Sequence, residues 1–233
     1  MATFRLLLWD IDGTLLLSSG AGMRALEVAL TRVFGLQGSL ADIEYAGRTD
    51  RWILRQVFAK FGLPATEDNF ARYTAGYLAE LPAQLAGSAA RVLPGVEPLL
   101  AAAAGRPGIT QGLLTGNLRG GAEAKLSRFG LWRYFPFGAF ADDSEDRHQL
   151  GPHALARARA HRPGRADFAP DQVWVIGDTP HDITCGQAFG ARTLAVATGN
   201  YSVDQLDAHG PTAVLRDLSD APAFWREIGR AHV

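Results

Sequence analysis

A run of four apolar residues, Leu6-Leu7-Leu8-Trp9, stops at two aspartates one residue apart, Asp10 and Asp12, and Gly13 and Thr14 follow. A short segment with no polar residue on either face is the pattern of a strand covered on both sides, the habit of parallel sheets. The carboxyl ends of such strands are where open α/β sheets bind ligands. Two carboxylates within one turn repel each other unless a cation lies between them or one keeps its proton. An acidic turn capping the next helix would use the same residues, since Asp before Gly is common turn chemistry. The rest of the chain has to separate these readings.

Beyond Thr14 the spacing becomes helical. Ala25, Leu26, Ala29, Leu30, Val33 and Phe34 lead to a stop at Gly35; a second helix fits Trp52 to Phe61, closed by Gly62; a third fits Phe70 to Leu81, closed near Pro82. No strand-like run interrupts residues 19–91, which predicts an all-helical insert. From Pro94 the rhythm alternates. Helices fit Val96 to Ala104, Ala122 to Phe129, Pro152 to His161 and Asp182 to Phe189. Strands fit Ile109 to Leu114, Val173 to Ile176 and Thr193 to Val196. A short apolar segment spans Phe135 to Ala141, Ala213 to Leu215 fits an edge strand, and Ser219 to Ile228 a final helix. Strands alternating with helices imply a doubly wound parallel sheet with right-handed crossovers.

The strand candidates end in Asp10 and Asp12, in Thr115 and Asn117, in Asp142 and Asp143, and in Asp178. A parallel sheet brings such ends to one edge, so carboxylates and a hydroxyl are expected to converge there as a metal and phosphate site. Gly177-Asp178-Thr179-Pro180-His181-Asp182 follows a buried strand and opens a helix, with Asp182 about one turn after Asp178. An N-cap explains one of these aspartates more easily than both.

Asp10-Ile11-Asp12-Gly13-Thr14 resembles the first motif of the haloacid dehalogenase superfamily in its phosphatase form, and Gly-Asp-Thr-x-x-Asp at Gly177 to Asp182 resembles the fourth. Leu113-Leu114-Thr115-Gly116-Asn117 resembles the second, although Thr-Gly-Asn is also a good turn. The resemblance implies an α/β, Rossmann-like core of residues 1–18 and 92–233, with residues 19–91 as a helical cap. It implies Asp10 as nucleophile, forming an aspartyl phosphate, and Asp12 as general acid and base. It implies Mg²⁺ held by the Asp10 carboxylate, the Asp12 main-chain carbonyl and Asp178, with Asp182 acting through water or orienting the others. Thr115, with Gly116 and Asn117, would hold phosphoryl oxygens. The Asp two residues after the nucleophile favours phosphoryl transfer over dehalogenation.

The superfamily's third motif supplies a lysine, and here the chain departs from it. Its two lysines are Lys60, in the helical insert, and Lys125, in the helix after the second motif. Neither falls in the expected stretch. Arg147, followed by Gly151-Pro152, is the nearest basic residue, and arginine binds phosphoryl oxygens well; Arg119 and Lys125 stand next. Tyr45-Ala46-Gly47-Arg48-Thr49-Asp50 resembles the cap's specificity loop, so Arg48 is a candidate contact for an anionic substrate group.

The expected function is a Mg²⁺-dependent phosphatase acting on a small phosphorylated metabolite, either phosphoglycolate-like or a sugar phosphate. A β-phosphoglucomutase-like enzyme or a non-catalytic relative are the alternatives. Net charge is −1, which offers no electrostatic case for nucleic acid or an anionic membrane. Cys185 is the single cysteine, so no internal disulfide forms and a reducing, cytoplasmic compartment is expected. A buried filler is the expected role of Cys185.

Overall fold

The computed structural model describes residues 4–162 and 167–229. In chain order its elements are β1 (Arg5–Trp9), β2 (Leu16–Leu17), α1 (Ala21–Phe34), α2 (Asp50–Phe61), α3 (Glu67–Ala86), β3 (Arg91–Val92), α4 (Val96–Gly105) and β4 (Ile109–Leu114). They continue with α5 (Arg119–Ser127), β5 (Gly138–Ala139), α6 (Leu150–His161), β6 (Val173–Gly177), α7 (Pro180–Ala188), β7 (Arg192–Val196), α8 (Val203–Asp207), β8 (Ala213–Leu215) and α9 (Ala221–Gly229).

Six strands form one sheet in the order β5-β4-β1-β6-β7-β8, and every neighbouring pair is parallel. The fold is therefore α/β and doubly wound, with β1 at its centre. The apolar run of β1 serves both faces. Leu7 and Trp9 join a core built with Val96, Leu99 and Leu100 of α4, Leu126 of α5 and Phe224 of α9. Leu6 and Leu8 join the opposite core, with Leu150, Ala154 and Ala158 of α6 and Cys185 of α7. Burial on both faces is why the strand shows no polar alternation.

Residues between β2 and β3 contain only helices. These two strands pair antiparallel, Leu16 opposite Val92 and Leu17 opposite Arg91, so the helical segment leaves and rejoins the sheet layer side by side. Helices α1, α2 and α3 bury an apolar core of their own, to which the sheet layer adds Leu118 and Ala141. Its centre is aromatic: Phe58 meets Phe70 at 4.9 Å and Phe34 at 6.0 Å between ring centroids, both edge-on.

Helices α1 and α2 stop before Gly35 and Gly62, as their spacing predicts. The third helix does not close at Pro82. It runs to Ala86 with the proline inside it. The ring forfeits one backbone hydrogen bond, but Leu81 and Leu85, one turn apart, are both fully buried and hold the last turn in place. Among the described residues no helix is long and apolar enough to cross a membrane.

Phe58→Ala should destabilise the protein by about 3–5 kcal/mol, the usual result of emptying a buried aromatic position. Urea denaturation followed by circular dichroism measures this.

Candidate active site

Asp10 follows the last residue of β1, where its backbone N–H donates to the Ile176 carbonyl of β6 at 2.9 Å. The chain then turns sharply. Gly13 adopts φ +81°, and a Cβ there would lie 2.2 Å from an Asp178 carboxylate oxygen. Both the left-handed backbone and the close approach require glycine. Thr14 completes the turn by donating its hydroxyl to Asp178 Oδ1 at 3.1 Å. The sequence Asp-x-Asp-Gly-Thr thus brings the ends of β1 and β6 together.

Asp10, Asp178 and Asp182 are all buried, and one carboxylate oxygen from each lies within 4.8 Å of the others. Burial pushes the Asp10 carboxyl up, opposed by Arg147; Asp182 and Asp12 add to the rise, and the result is about 7. Burial raises Asp178 well above the usual carboxylate value, and Asp182 and Asp10 raise it further. An all-oxygen, acidic donor set of this kind suits a hard divalent cation, which would relieve the repulsion. Asp182 is the least free of the three. Its Oδ2 accepts from the Thr179 N–H at 3.0 Å and the Thr179 hydroxyl at 2.6 Å, while Oδ1 accepts from Arg147 at 2.5 Å.

Arg147 reaches the site. It lies in a 3₁₀ turn just before α6, is buried, and places Nη2 3.1 Å from Asp10 Oδ1. Its Nη1 donates to the Gly47 carbonyl at 3.0 Å, in the loop before α2. The thiol of Cys185 donates to the Arg147 carbonyl at 3.1 Å. Burial pushes that thiol up to about 12, so Cys185 stays neutral and serves as a buried support.

Lys125 also belongs to the site, which sequence reasoning set aside because of its position in the chain. It is buried, and its Nζ lies 2.5 Å from both Asp12 Oδ2 and Asn117 Oδ1. Helix α5 buries Gly121, Ala122, Lys125 and Leu126 on one face. A lysine on the apolar stripe of a short helix was the signal available in the sequence. Asp12 is therefore held apart from the carboxylate cluster. It accepts from Lys125, from Asn117 Nδ2 at 3.0 Å and from the Ser18 hydroxyl at 2.8 Å. Burial pushes Asp12 up, but Lys125, Asn117 and Ser18 outweigh it and hold the carboxyl below its ordinary value. Asn117 thus orients Asp12 and Thr115 rather than projecting into open space; its Nδ2 also donates to Thr115 Oγ1 at 2.9 Å. The Thr115 hydroxyl hydrogen-bonds Asp10.

Asp142 and Asp143 do not converge on the cluster. Asp143 forms a bidentate pair with Arg157 at 2.6 Å for each contact, and Asp142 accepts from the Arg119 backbone N–H at 2.6 Å. They follow the shortest sheet strand, at its edge, and their partners lie on the adjoining helices rather than above β1. Arg119 likewise contributes its backbone there, and its guanidinium faces Phe140.

A cavity of about 310 Å³ opens above these residues. Asp10, Asp12, Asp178 and Arg147 line it from the sheet side; Met23, Leu26, Ile53 and Tyr77 line it from the helical segment. Arg48 reaches the lining, but its Nη2 pairs with Glu44 at 2.8 Å and its guanidinium stacks 4.5 Å from the Trp52 ring centroid. Gly116 permits the close docking of this loop, because a Cβ there would meet the Arg48 carbonyl at 2.2 Å. Asp50, the first residue of α2, accepts from the Leu118 N–H at 2.8 Å and donates its own N–H to the Gly116 carbonyl at 2.6 Å.

The sequence profile of the haloacid dehalogenase-like hydrolases matches residues 7–187, which span every residue of this site. The chain belongs to that family. It is thereby an enzyme of the hydrolase class, and its curated relatives are named as phosphatases. It is 30% identical over 232 residues to phosphoglycolate phosphatase of Rhodospirillum rubrum, covering 91% of this chain and 87% of the relative. It is 27% identical over 232 residues to the protein of Dickeya dadantii called "Probable phosphatase IndB", covering 97% and 93%. In fold it is similar to CbbY from Rhodobacter sphaeroides, solved in complex with phosphate, with a TM-score of 0.74 at 19% identity over 94% of this chain and 96% of that one.

Burial pushes the Asp50 carboxyl up to about 6, although Lys125 draws it down. A carboxyl raised on folding binds more protons in the native state, so the stability it contributes falls as pH rises from about 4 to about 6. Asp50→Asn keeps an acceptor for Leu118 and removes this titration. The stability of the variant relative to the parent should rise across that window, by on the order of 1–2 kcal/mol, and level off near neutrality. Thermal melts at stepped pH check this.

Proposed function

We propose that this chain is a Mg²⁺-dependent phosphatase that hydrolyses a small phosphomonoester through an aspartyl phosphate on Asp10. The observation that carries the reading is the division of labour between the two aspartates of the β1 turn. Asp10 faces Asp178, Asp182 and Arg147, whereas Asp12 is held aside by Lys125, Asn117 and Ser18.

Residues 19–91 act as a cap over a core of 1–18 and 92–233. The paired strands β2 and β3 at the crossing points and the separate apolar core of the helices support that division. The cavity between them suits a small metabolite; phosphoglycolate-like compounds and sugar phosphates are the candidates. The buried carboxylates fit a hard cation held by Asp10, the Asp12 carbonyl and Asp178, with Asp182 orienting. When bound, the cation offsets the repulsion between Asp10 and an anionic phosphoryl group.

A carboxylate oxygen of Asp10 attacks phosphorus, the ester oxygen departs as the alcohol, and Asp12 gives it a proton. Water then attacks phosphorus, Asp12 takes its proton, phosphate leaves and Asp10 is restored. Lys125 favours the ionised Asp12 that the second step needs. A phosphoryl dianion beside Asp12 raises its proton affinity for the first. Arg147 and the Thr115 hydroxyl meet the charge on the transferring oxygens, and the backbone around Gly116 and Asn117 adds donors. A single cysteine, free and buried, supports a reducing cytoplasmic setting.

Phosphate release from p-nitrophenyl phosphate should vanish on exhaustive chelation and return with Mg²⁺. Asp10→Asn should abolish turnover while the circular dichroism spectrum is kept. Full activity in chelator, or near-parental turnover in Asp10→Asn, would overturn the reading. Conversion of a hexose 1-phosphate to its 6-phosphate, without free phosphate, would mark a mutase instead.

Arg147→Ala should lower turnover at least about tenfold, the usual result of losing one charge-assisted contact. Arg147→Lys should recover part of it, because charge returns without the guanidinium fork. Steady-state kinetics of both variants decides whether the arginine takes the role of the superfamily's lysine.

A further inference from the structure

Tyr77 lies on α3 and is 2% exposed, yet its hydroxyl has no hydrogen-bond partner among the described residues. The residue lines the cavity, with its hydroxyl between Gly22 of α1 and Gly121 of α5. That hydroxyl is not sealed from solvent; it opens on the cavity and is free to bond a ligand there.

The rest of the lining on this side has a definite character. Met23, Leu26 and Ile53 are apolar. Asp50 faces the same space, half-buried, with one oxygen on the Leu118 N–H. Arg48 is the one cation that the segment between β2 and β3 brings to the lining. Its charge is paired with Glu44. Lys125, on the sheet side, is committed to Asp12 and Asn117. A second anion on the substrate would face Asp50 and Asp12, and the cations beside it, Arg48 and Lys125, already have carboxylate partners. A hydroxyl would find the Tyr77 hydroxyl and the Asp50 carboxylate, against an apolar wall.

Resting on the phosphatase reading above, we infer that Tyr77 and Asp50 select the leaving group, favouring phosphomonoesters of uncharged alcohols that carry a further hydroxyl over those with a second anionic group. Tyr77 supplies the polar contact. Asp50 accepts from a hydroxyl and repels a carboxylate. Neither touches the transferring phosphoryl group; they decide which alcohol is held behind it.

Three esters of nearly equal size test this with the full chain: 2-hydroxyethyl phosphate, phosphoglycolate and ethyl phosphate. The expected kcat/KM is at least about tenfold higher for 2-hydroxyethyl phosphate than for phosphoglycolate, since an unmatched charge is rejected strongly. Tyr77→Phe should lower the preference for 2-hydroxyethyl over ethyl phosphate about fivefold, the scale of one neutral hydrogen bond. Asp50→Asn should raise phosphoglycolate relative to 2-hydroxyethyl phosphate by a similar factor. Calorimetric binding to Asp10→Asn gives the same ranking without turnover. Equal or stronger use of phosphoglycolate by the parent, or unchanged ratios in both folded variants, overturns the inference. If p-nitrophenyl phosphate and all three esters resist hydrolysis, the phosphatase reading fails, and the binding ranking still decides the selectivity.

Discussion

Carboxylates crowded at one edge of the sheet set the terms for the rest of this structure. Asp10, Asp178 and Asp182 are buried within reach of one another, and Asp12 is only two residues from the first. Such a cluster is unfavourable by itself, because burial and mutual repulsion both oppose ionisation. The fold answers with two buried cations from different elements. Arg147 comes from the turn before α6 and binds Asp10 and Asp182; Lys125 comes from α5 and binds Asp12. Between them they separate the two aspartates of the β1 turn electrostatically. One is pushed up by burial, and the other is held down by its partners. As a nucleophile Asp10 would have to be ionised, and a cation held beside it would draw its proton affinity back down.

The same residues tie the helical segment to the sheet. Arg147 donates to Gly47, Thr49 donates to the Glu145 carbonyl at 2.7 Å, and Asp50 donates its N–H to the Gly116 carbonyl while its carboxylate accepts from the Leu118 N–H. The loop before α2 therefore rests on the carboxylate edge through polar contacts, beside the apolar seam that Leu118 and Ala141 form with the helices. Polar contacts of this kind are readily traded for water, whereas the core of α1 to α3 is not. Paired strands on one side and polar contacts on the other support the proposed cap.

The fold was largely legible because its signals are local. An apolar run without alternation announces a doubly covered strand, and the stops at Gly35 and Gly62 mark helix ends. The first and fourth motifs carry turn and cap chemistry that works at short range: Gly13 must take a left-handed turn, and the Thr179 side chain caps α7 on Asp182. Local signals also misled. Pro82 reads as a stop, yet Leu81 and Leu85 carry the helix past it. Asp142 and Asp143 read as members of the site, yet Arg157 and the Arg119 backbone take them.

What the sequence by itself determined is the parallel sheet, the helical insert after the first motif, and the placing of Asp10, Asp12, Thr115 and Asp178 along one edge. Strand periodicity and turn residues encode these within a few positions. Tertiary structure alone decided which cation meets which carboxylate. Lys125 is 113 residues from Asp12 and Arg147 is 35 from Asp182, and no spacing rule links them. Nor does any sequence pattern say that Tyr77, on a helix far from every motif, turns its hydroxyl into the cavity. Side-chain pairing across elements depends on how helices pack, and packing is a property of the assembled chain rather than of any segment.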